Sequence, residues 1–361
     1  MHNIDLSHIS YRTDLAREAH DLALKNRQDG RIPGVRQEET EDEGMQTSWI
    51  WIESDQAAQE IGKAPGVYFT LEVPSLRSQD STLLQRVTKH FAEQFARFLY
   101  EVKVAKNASA LLVGLGNWNV TADALGPLVI KHALVTRHLF ELAPDSVSKG
   151  YRSVSAVSPG VLGITGIETS EIVQGVVKES KPDFVIVFDS LASRSLSRVN
   201  TTIQVADTGI HPGSGVGNKR KSLTKETLGV PVIAIGIPTV VDAATIALDT
   251  IDFVMAHISR EMEGKKNHPL DPLNRPTVRQ LSEQQVNEQT QSQMLGMVGS
   301  LNSAEKRQLI EEVLHPLGQN LVVTPKEVDS FISHMAKLVA NGVNCALHEA
   351  VTIENVASHI H

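Results

Sequence analysis

Phe184-Val185-Ile186-Val187-Phe188-Asp189 is an unbroken apolar run that ends on a carboxylate. A short run of β-branched and aromatic residues with no polar alternation reads as a strand buried on both faces, as in parallel sheets. Upstream, Ala110-Leu111-Leu112-Val113-Gly114-Leu115-Gly116-Asn117 repeats the pattern and leads through Trp118-Asn119-Val120-Thr121-Ala122 to Asp123. From about Ala108 to Ile258, strand patterns at 110–114, 183–188 and 231–237 alternate with helical ones, which is the signature of an α/β sheet. In open α/β sheets the carboxyl ends of the strands border the ligand crevice, so Asp123 and Asp189 can meet across one site. Neighbouring carboxylates split acid and base roles because one charge raises the pKa of the other, and hydrolysis is the chemistry favoured here.

Working outward, Thr13 to Asn26 carries Leu15, Ala16, Ala19, Leu22, Ala23 and Leu24 at helical spacing, with Thr13 or Asp14 as cap. Arg27 to Gly44 is charged, and its cluster Glu38-Glu39-Thr40-Glu41-Asp42-Glu43 reads as a solvated loop. Met45–Glu53 and Gly66–Val73 read as added N-terminal strands, a hairpin or edge pair. Leu84, Val87, Phe91, Phe95, Phe98, Leu99 and Val102 mark one buried face of a long helix. Arg260 to Gln293 turns polar and glutamine-rich, an exposed insertion in an otherwise single domain, before helices at about Ser303–Leu314 and Pro325–Ala340.

A chain of 361 residues buries a substantial core as one large domain or two. A net charge of -8 and a pI near 6.0 supply no general electrostatic reason to bind nucleic acid or an anionic membrane, and a protein partner fits better. The single cysteine, Cys345, excludes an intrachain disulfide framework and a cysteine-rich zinc site and agrees with a reducing cytoplasm. Its apolar neighbours mark it as a filler. Met1 to Asp14 lacks the apolar core of a secretion signal, and no run is long enough to span a bilayer, so an intracellular location is expected.

Gly114-Leu115-Gly116 suggests a dinucleotide fingerprint, but Asn119 replaces its third glycine, and close backbone approach to a substrate is the simpler use. Asp123 either serves chemistry or caps the helix that follows; Asp189 either serves chemistry or pairs with Arg194 or Arg198. The loop from Asp207 to Lys221 places Gly213, Gly215 and Gly217 ahead of Lys219-Arg220-Lys221, suited to an extended peptide or an oxyanion. It is not a P-loop, since Arg220 stands where a magnesium-binding Ser or Thr would be. His211 is a metal ligand or proton carrier, or an ordinary polar contact. The loop 158–170, with Gly163 and Gly166, suits an extended polypeptide or is a plain connection, with Thr165 or Ser170 as cap of the next helix. No HExxH, G-x-S-x-G, CxxC pair or EF-hand occurs, and no cofactor or metal is expected.

The blocks Gly114–Pro127, Leu134–Phe140, Gly163–Thr169, Asp207–Lys221 and Thr324–Asp329 resemble the spore germination proteases. The resemblance implies an endopeptidase that degrades small acid-soluble spore proteins in the spore core, made as a homotetrameric zymogen and activated by loss of a short propeptide. It implies a core similar to that of the hydrogenase maturation peptidases, a mixed or mostly parallel sheet flanked by helices with a C-terminal helical region. Asp123 and Asp189 fall on the positions of the family's catalytic aspartates, with Gly114, Gly116, Asn117, Gly163, Gly166, Asp207, His211, Gly213, Gly215 and Lys219 as substrate-binding or secondary candidates. Family target sites read approximately Thr-Glu-apolar-Ala-x-Glu; Thr13-Asp14-Leu15-Ala16-Arg17-Glu18 matches them with Asp for Glu. Self-processing is therefore expected between Asp14 and Leu15, making 1–14 a propeptide and 15–361 the peptidase. Two readings stand beside this one: a metal-assisted peptidase using Asp123, Asp189 and His211, and a noncatalytic spore-protein binder.

Overall fold

In the computed structural model, β4 (Ala110–Gly114) and β6 (Phe184–Ser193) lie side by side and parallel, with Ala110 opposite Phe184 and Gly114 opposite Phe188. The described residues are 13–25, 27, 30–78, 80–211, 221–262, 301, 303–314 and 321–359, in two units. The larger unit comprises Arg12–Val240 and Thr324–His361. Here β5 (Val154–Val157) extends the sheet beside β4, again parallel. On the other side of β6 runs β8 (Val232–Asp242): Val185 N donates to Pro231 O at 2.9 Å, and the Leu191 side chain covers Gly236, so the two strands share a direction.

The rest of the sheet is antiparallel. β1 (Val35–Asp42), β2 (Met45–Ile52) and β3 (Gly66–Glu72) form a meander that joins β7 (Thr202–Ala206), and β7 pairs β8. The order β1-β2-β3-β7-β8-β6-β4-β5 is thus a mixed sheet, as the alternating patterns and added N-terminal strands predict. Its helices are α1 (Ala16–Lys25), α2 (Asp55–Ile61), α3 (Ser81–Glu101), α4 (Leu125–Lys131), α5 (Arg137–Leu142), α6 (Leu162–Thr165), α7 (Thr169–Ser180) and α8 (Lys225–Leu228). After the second unit the chain returns for α11 (Val328–Leu347), longer at its C-terminal end than the periodicity predicts.

Both faces of the central strands are covered. Leu112, Ile186 and Phe188 pack with Phe91, Phe95 and Phe98 of α3 and Met335 and Val339 of α11, whereas Leu111, Val113, Val185 and Val187 pack with Val173 and Val177 of α7. This explains the absence of polar alternation in the two runs. Phe91 and Phe95 stack at 5.8 Å between centroids, and α11 closes on them through Gly342, where a Cβ would stand 2.4 Å from Phe91 Cδ1.

The acidic stretch read as a solvated loop is instead part of edge strand β1, with Glu38 opposite Trp49. Arg97 of α3 forks onto Glu38 at 2.9 Å while lying 4.5 Å over the Trp49 ring. The acids stay outward-facing; the β2 backbone ladder, which local composition does not encode, makes them a strand. Nor do Thr165 and Ser170 cap α7. Glu168 occupies that position without a side-chain cap, and Thr165 Oγ1 accepts from Ile167 N at 3.1 Å. Cys345 is half-buried, its thiol pushed up to about 11 by burial and then by the nearby Glu354 carboxylate.

In the second unit, Val241 and Asp242 pair with Val323 and Val322 of β9 (Val322–Val323), beside α9 (Ala243–Met262) and α10 (Ser303–Leu314). Buried Arg307 of α10 holds Asp242 at 3.2 Å, and Asp242 Oδ1 accepts from Ala244 N at 2.7 Å. The polar insertion expected at about 260–293 lies, from 263 onward, outside the described residues. No helix among the described residues is long and apolar enough to cross a membrane.

Phe95 is fully buried between α3 and the sheet, so Phe95→Ala should cost about 3–5 kcal/mol of stability, measured as a fall in the urea midpoint at unchanged slope.

Candidate functional site

Three glycines allow β4, the turn after it and α4 to approach one another. A Cβ on Gly114 would stand 2.4 Å from Gly126 O, and one on Gly126 would stand 2.2 Å from Leu115 O and 2.7 Å from Phe188 O. Gly116 has φ +116°, and its Cβ would fall 1.9 Å from Asp123 O. Only glycine fits both the conformation and the space. The chain then loops through Asn117–Val120, where Asn119 N donates to Asn117 Oδ1 at 3.0 Å, and re-enters at the turn Thr121–Asp123.

Asp123 is held by the start of this loop. Asn117 N donates to Asp123 Oδ2 at 2.9 Å and lies 3.1 Å from Asp123 O. Asp123 does not cap α4, whose N-cap position is Ala124 with no side-chain hydrogen bond. Thr239 of β8 donates its hydroxyl to Ala122 O at 2.7 Å, fixing the turn from a second strand.

Asp189 lies in β6, one step past the Phe188–Gly114 pair and therefore beside Leu115, whose N donates to Phe188 O at 2.9 Å. It is 8% exposed, and its Oδ1 accepts from Ser190 N at 2.9 Å. The Thr121–Asp123 turn packs against β6. The Asp123 turn therefore lies against the strand that carries Asp189, but Asp189 does not end that strand as the apolar run predicts: β6 continues to Ser193. Arg198, one of the partners considered for Asp189, is engaged with Glu18 at 3.2 Å and Glu72 at 3.1 Å.

The other candidates separate. Asp207, after β7, accepts from Val67 N of β3 at 2.8 Å, with β7 and β8 lying between β3 and β6. Burial raises its pKa above the ordinary aspartate range, against the lowering effect of the Val67 hydrogen bond. His211 is exposed just beyond the Ile210–Leu223 bridge. Gly163 lies in α6 and Gly166 at its end, with φ +70°, in a loop after β5 that exposes Leu162, Ile164 and Ile167. Gly213, Gly215 and Lys219 lie outside the described residues. Among the described residues, no group of three His, Cys, Asp or Glu side chains is arranged to hold a metal ion.

The expected processing site sits on the same strand as Asp189. Asp14 N donates to Ala192 O at 3.0 Å, and Leu15 is fully buried. Lys63 and Gln204, which hold the Asp14 carbonyl at 3.0 and 3.1 Å, have no signal in the sequence. One follows the C-terminal turn of α2 and the other lies in a short strand that local pattern does not reveal.

These features define an α/β protein in which the turn that carries Asp123 packs against the strand that carries Asp189. Its relatives are consistent with one another. The family model described as germination protease matches residues 14–360. Germination proteases of Bacillus cereus (strain AH187) and Bacillus thuringiensis subsp. konkukian (strain 97-27) are each 54% identical to this chain, over 99% of both sequences. One from Bacillus anthracis is likewise 54% identical over 99% of each. The chain belongs to the germination protease family and is a peptidase.

Because the folded state holds a proton on Asp207 more readily than the unfolded chain, this group's contribution favours folding below its unfolded pKa. That contribution is lost as pH rises through the folded pKa. Asp207→Asn keeps an acceptor for Val67 N and removes the buried charge, so it should raise the urea midpoint at pH 7 and lose that advantage at acidic pH.

Proposed function

We propose that this chain is a spore germination endopeptidase that cleaves small acid-soluble spore proteins by water activation between Asp123 and Asp189. The observation that carries the reading is that the Asp123 turn packs on β6, the strand that carries Asp189. One aspartate takes a proton from water, and the other gives one to the departing amine. Gly114 and Gly116 serve this reading by admitting Gly126 and the Asp123 carbonyl, and Asn117 N by holding the Asp123 carboxylate in place.

The same chemistry applied to Thr13-Asp14-Leu15-Ala16-Arg17-Glu18 removes residues 1–14. Two features support a slow reaction there. Asp is one methylene shorter than the Glu of the target motif, and α1 begins at Ala16, so residues after the bond are helical where a protease binds extended chain.

Incubation of the full chain at mildly acidic pH, followed by intact mass and by cleavage of a peptide carrying a Thr-Glu-apolar-Ala-x-Glu site, tests this. Asp123→Asn and Asp189→Asn should each lower both rates by about 10²–10⁴-fold without unfolding the protein. Processing and cleavage by both variants at wild-type rates would remove the aspartates from the mechanism. Gly116→Ala, which drives a Cβ into the Asp123 carbonyl, should lower peptide cleavage about 100-fold, as expected for a displacement near 1 Å.

A further inference from the structure

Residues 13–15 are gripped at both ends of the Asp14–Leu15 bond. On the carbonyl side, Asp14 O accepts from Lys63 Nζ at 3.0 Å and Gln204 Nε2 at 3.1 Å, and Thr13 O accepts from the same ammonium at 3.1 Å. The Asp14 side chain accepts from Ala192 N at 2.9 Å. On the amide side, Leu15 N donates to Thr13 Oγ1 at 3.1 Å, and that hydroxyl donates to Glu18. Glu18 is a buried carboxylate that also accepts from Arg194 N at 2.8 Å and Ser195 N at 3.1 Å. A cation therefore faces the carbonyl, and an anion stands behind the nitrogen. Desolvation lowers the Lys63 pKa, against the opposing influence of the Asp14 and Glu18 charges, so an additional anion beside this ammonium would be well placed.

Resting on the processing reading above, we propose that Lys63, Gln204 and Ala192 form a carboxylate-binding site that retains the severed propeptide after Asp14–Leu15 is cut. Hydrolysis breaks the Asp14 C–N bond. The hydroxyl of water goes to the carbonyl carbon and its remaining hydrogen to the Leu15 nitrogen. The new acid then gives up a proton, and the new amine takes one. The carboxylate forms where Lys63 and Gln204 already donate, and the ammonium forms beside Thr13 and Glu18. The contact from the Lys63 ammonium to a neutral carbonyl becomes an ion pair with a carboxylate, and the contact from the neutral Gln204 amide becomes charge-assisted. Cutting and release are consequently separate events, and the peptide must dissociate before Ala192 and Lys63 are vacated.

The test begins with the full chain after self-processing, analysed by native mass spectrometry and gel filtration. The expected result is a nicked complex in which peptide 1–14 stays with the remainder until denaturant is added. Once the peptide has been stripped and the chain refolded, a synthetic peptide of residues 1–14 with a free C-terminal carboxylate should bind at least tenfold tighter than its C-terminal amide. In Lys63→Met that preference should vanish, and the nicked peptide should be lost on gel filtration. Equal binding of acid and amide to the wild type, or immediate loss of the peptide on processing, overturns the proposal without recourse to any variant. Where the chain does not process itself, an added endoprotease specific for acidic residues supplies the cut. Retention after that cut upholds the carboxylate site while refuting self-processing. A bond that neither route cuts overturns both.

Discussion

The candidate site depends on three missing side chains. Gly114, Gly116 and Gly126 let the end of β4, the Asp123 carbonyl and the start of α4 occupy positions from which a Cβ would exclude them. The resulting contacts are backbone to backbone, and their geometry is accordingly stiff. Asn117 N is thereby brought to the Asp123 carboxylate, and the loop between them closes on itself through Asn119 and Val120. An aspartate on a nine-residue excursion from a strand would ordinarily roam. Here it is fixed to the strand it left and, through Thr239, to another.

Asp189 is fixed by other means. It is built into a strand whose neighbours on both faces are large and apolar, and it inherits its position from the ladder. Its carboxylate accepts from Ser190 N at 2.9 Å. The two carboxylates thus differ in kind, one on a turn and one in a strand.

The legible parts of this molecule were those whose burial is written locally. β4 and β6 are enclosed on both faces, so their sequences carry no polar alternation, and the α3 stripe from Val87 to Leu99 faces one core throughout. β7 and β5 were not legible: Thr202-Ile203-Gln204-Val205-Ala206 and Val154-Ser155-Ala156-Val157 are short, and Gln204 and Ser155 meet partners distant in sequence. Gln204 shows this well. It sits in mid-strand to meet Ala16 N and Asp14 O, groups almost two hundred positions away. β1 was misread for the complementary reason, since its acids are exposed and only the facing strand makes it one. At the site, Asp189 follows directly on a recognisable apolar run, whereas Asp123 stands nine residues beyond the end of β4. Lys63 was not legible, because an isolated lysine after a helix carries no pattern.

The segment around Asp14 is bound into the folded chain on both sides of the 14–15 bond. Its two acidic residues, Asp14 and Glu18, are structural acceptors, bonded to Ala192 in one case and to Arg194 and Ser195 in the other. Arg198 extends the hold by bridging Glu18 and Glu72, so α1, β3 and the segment after β6 share one charge network. Offering the 14–15 bond to a protease as extended chain means withdrawing Leu15 from the core, at about 2 kcal/mol, and exchanging several hydrogen bonds for water at about 1 kcal/mol each. At roughly 5 kcal/mol in all, the open segment is populated less than about one part in a thousand. A peptide bond in unstructured chain carries none of this cost, so the fold makes the 14–15 bond the harder one to present in extended form.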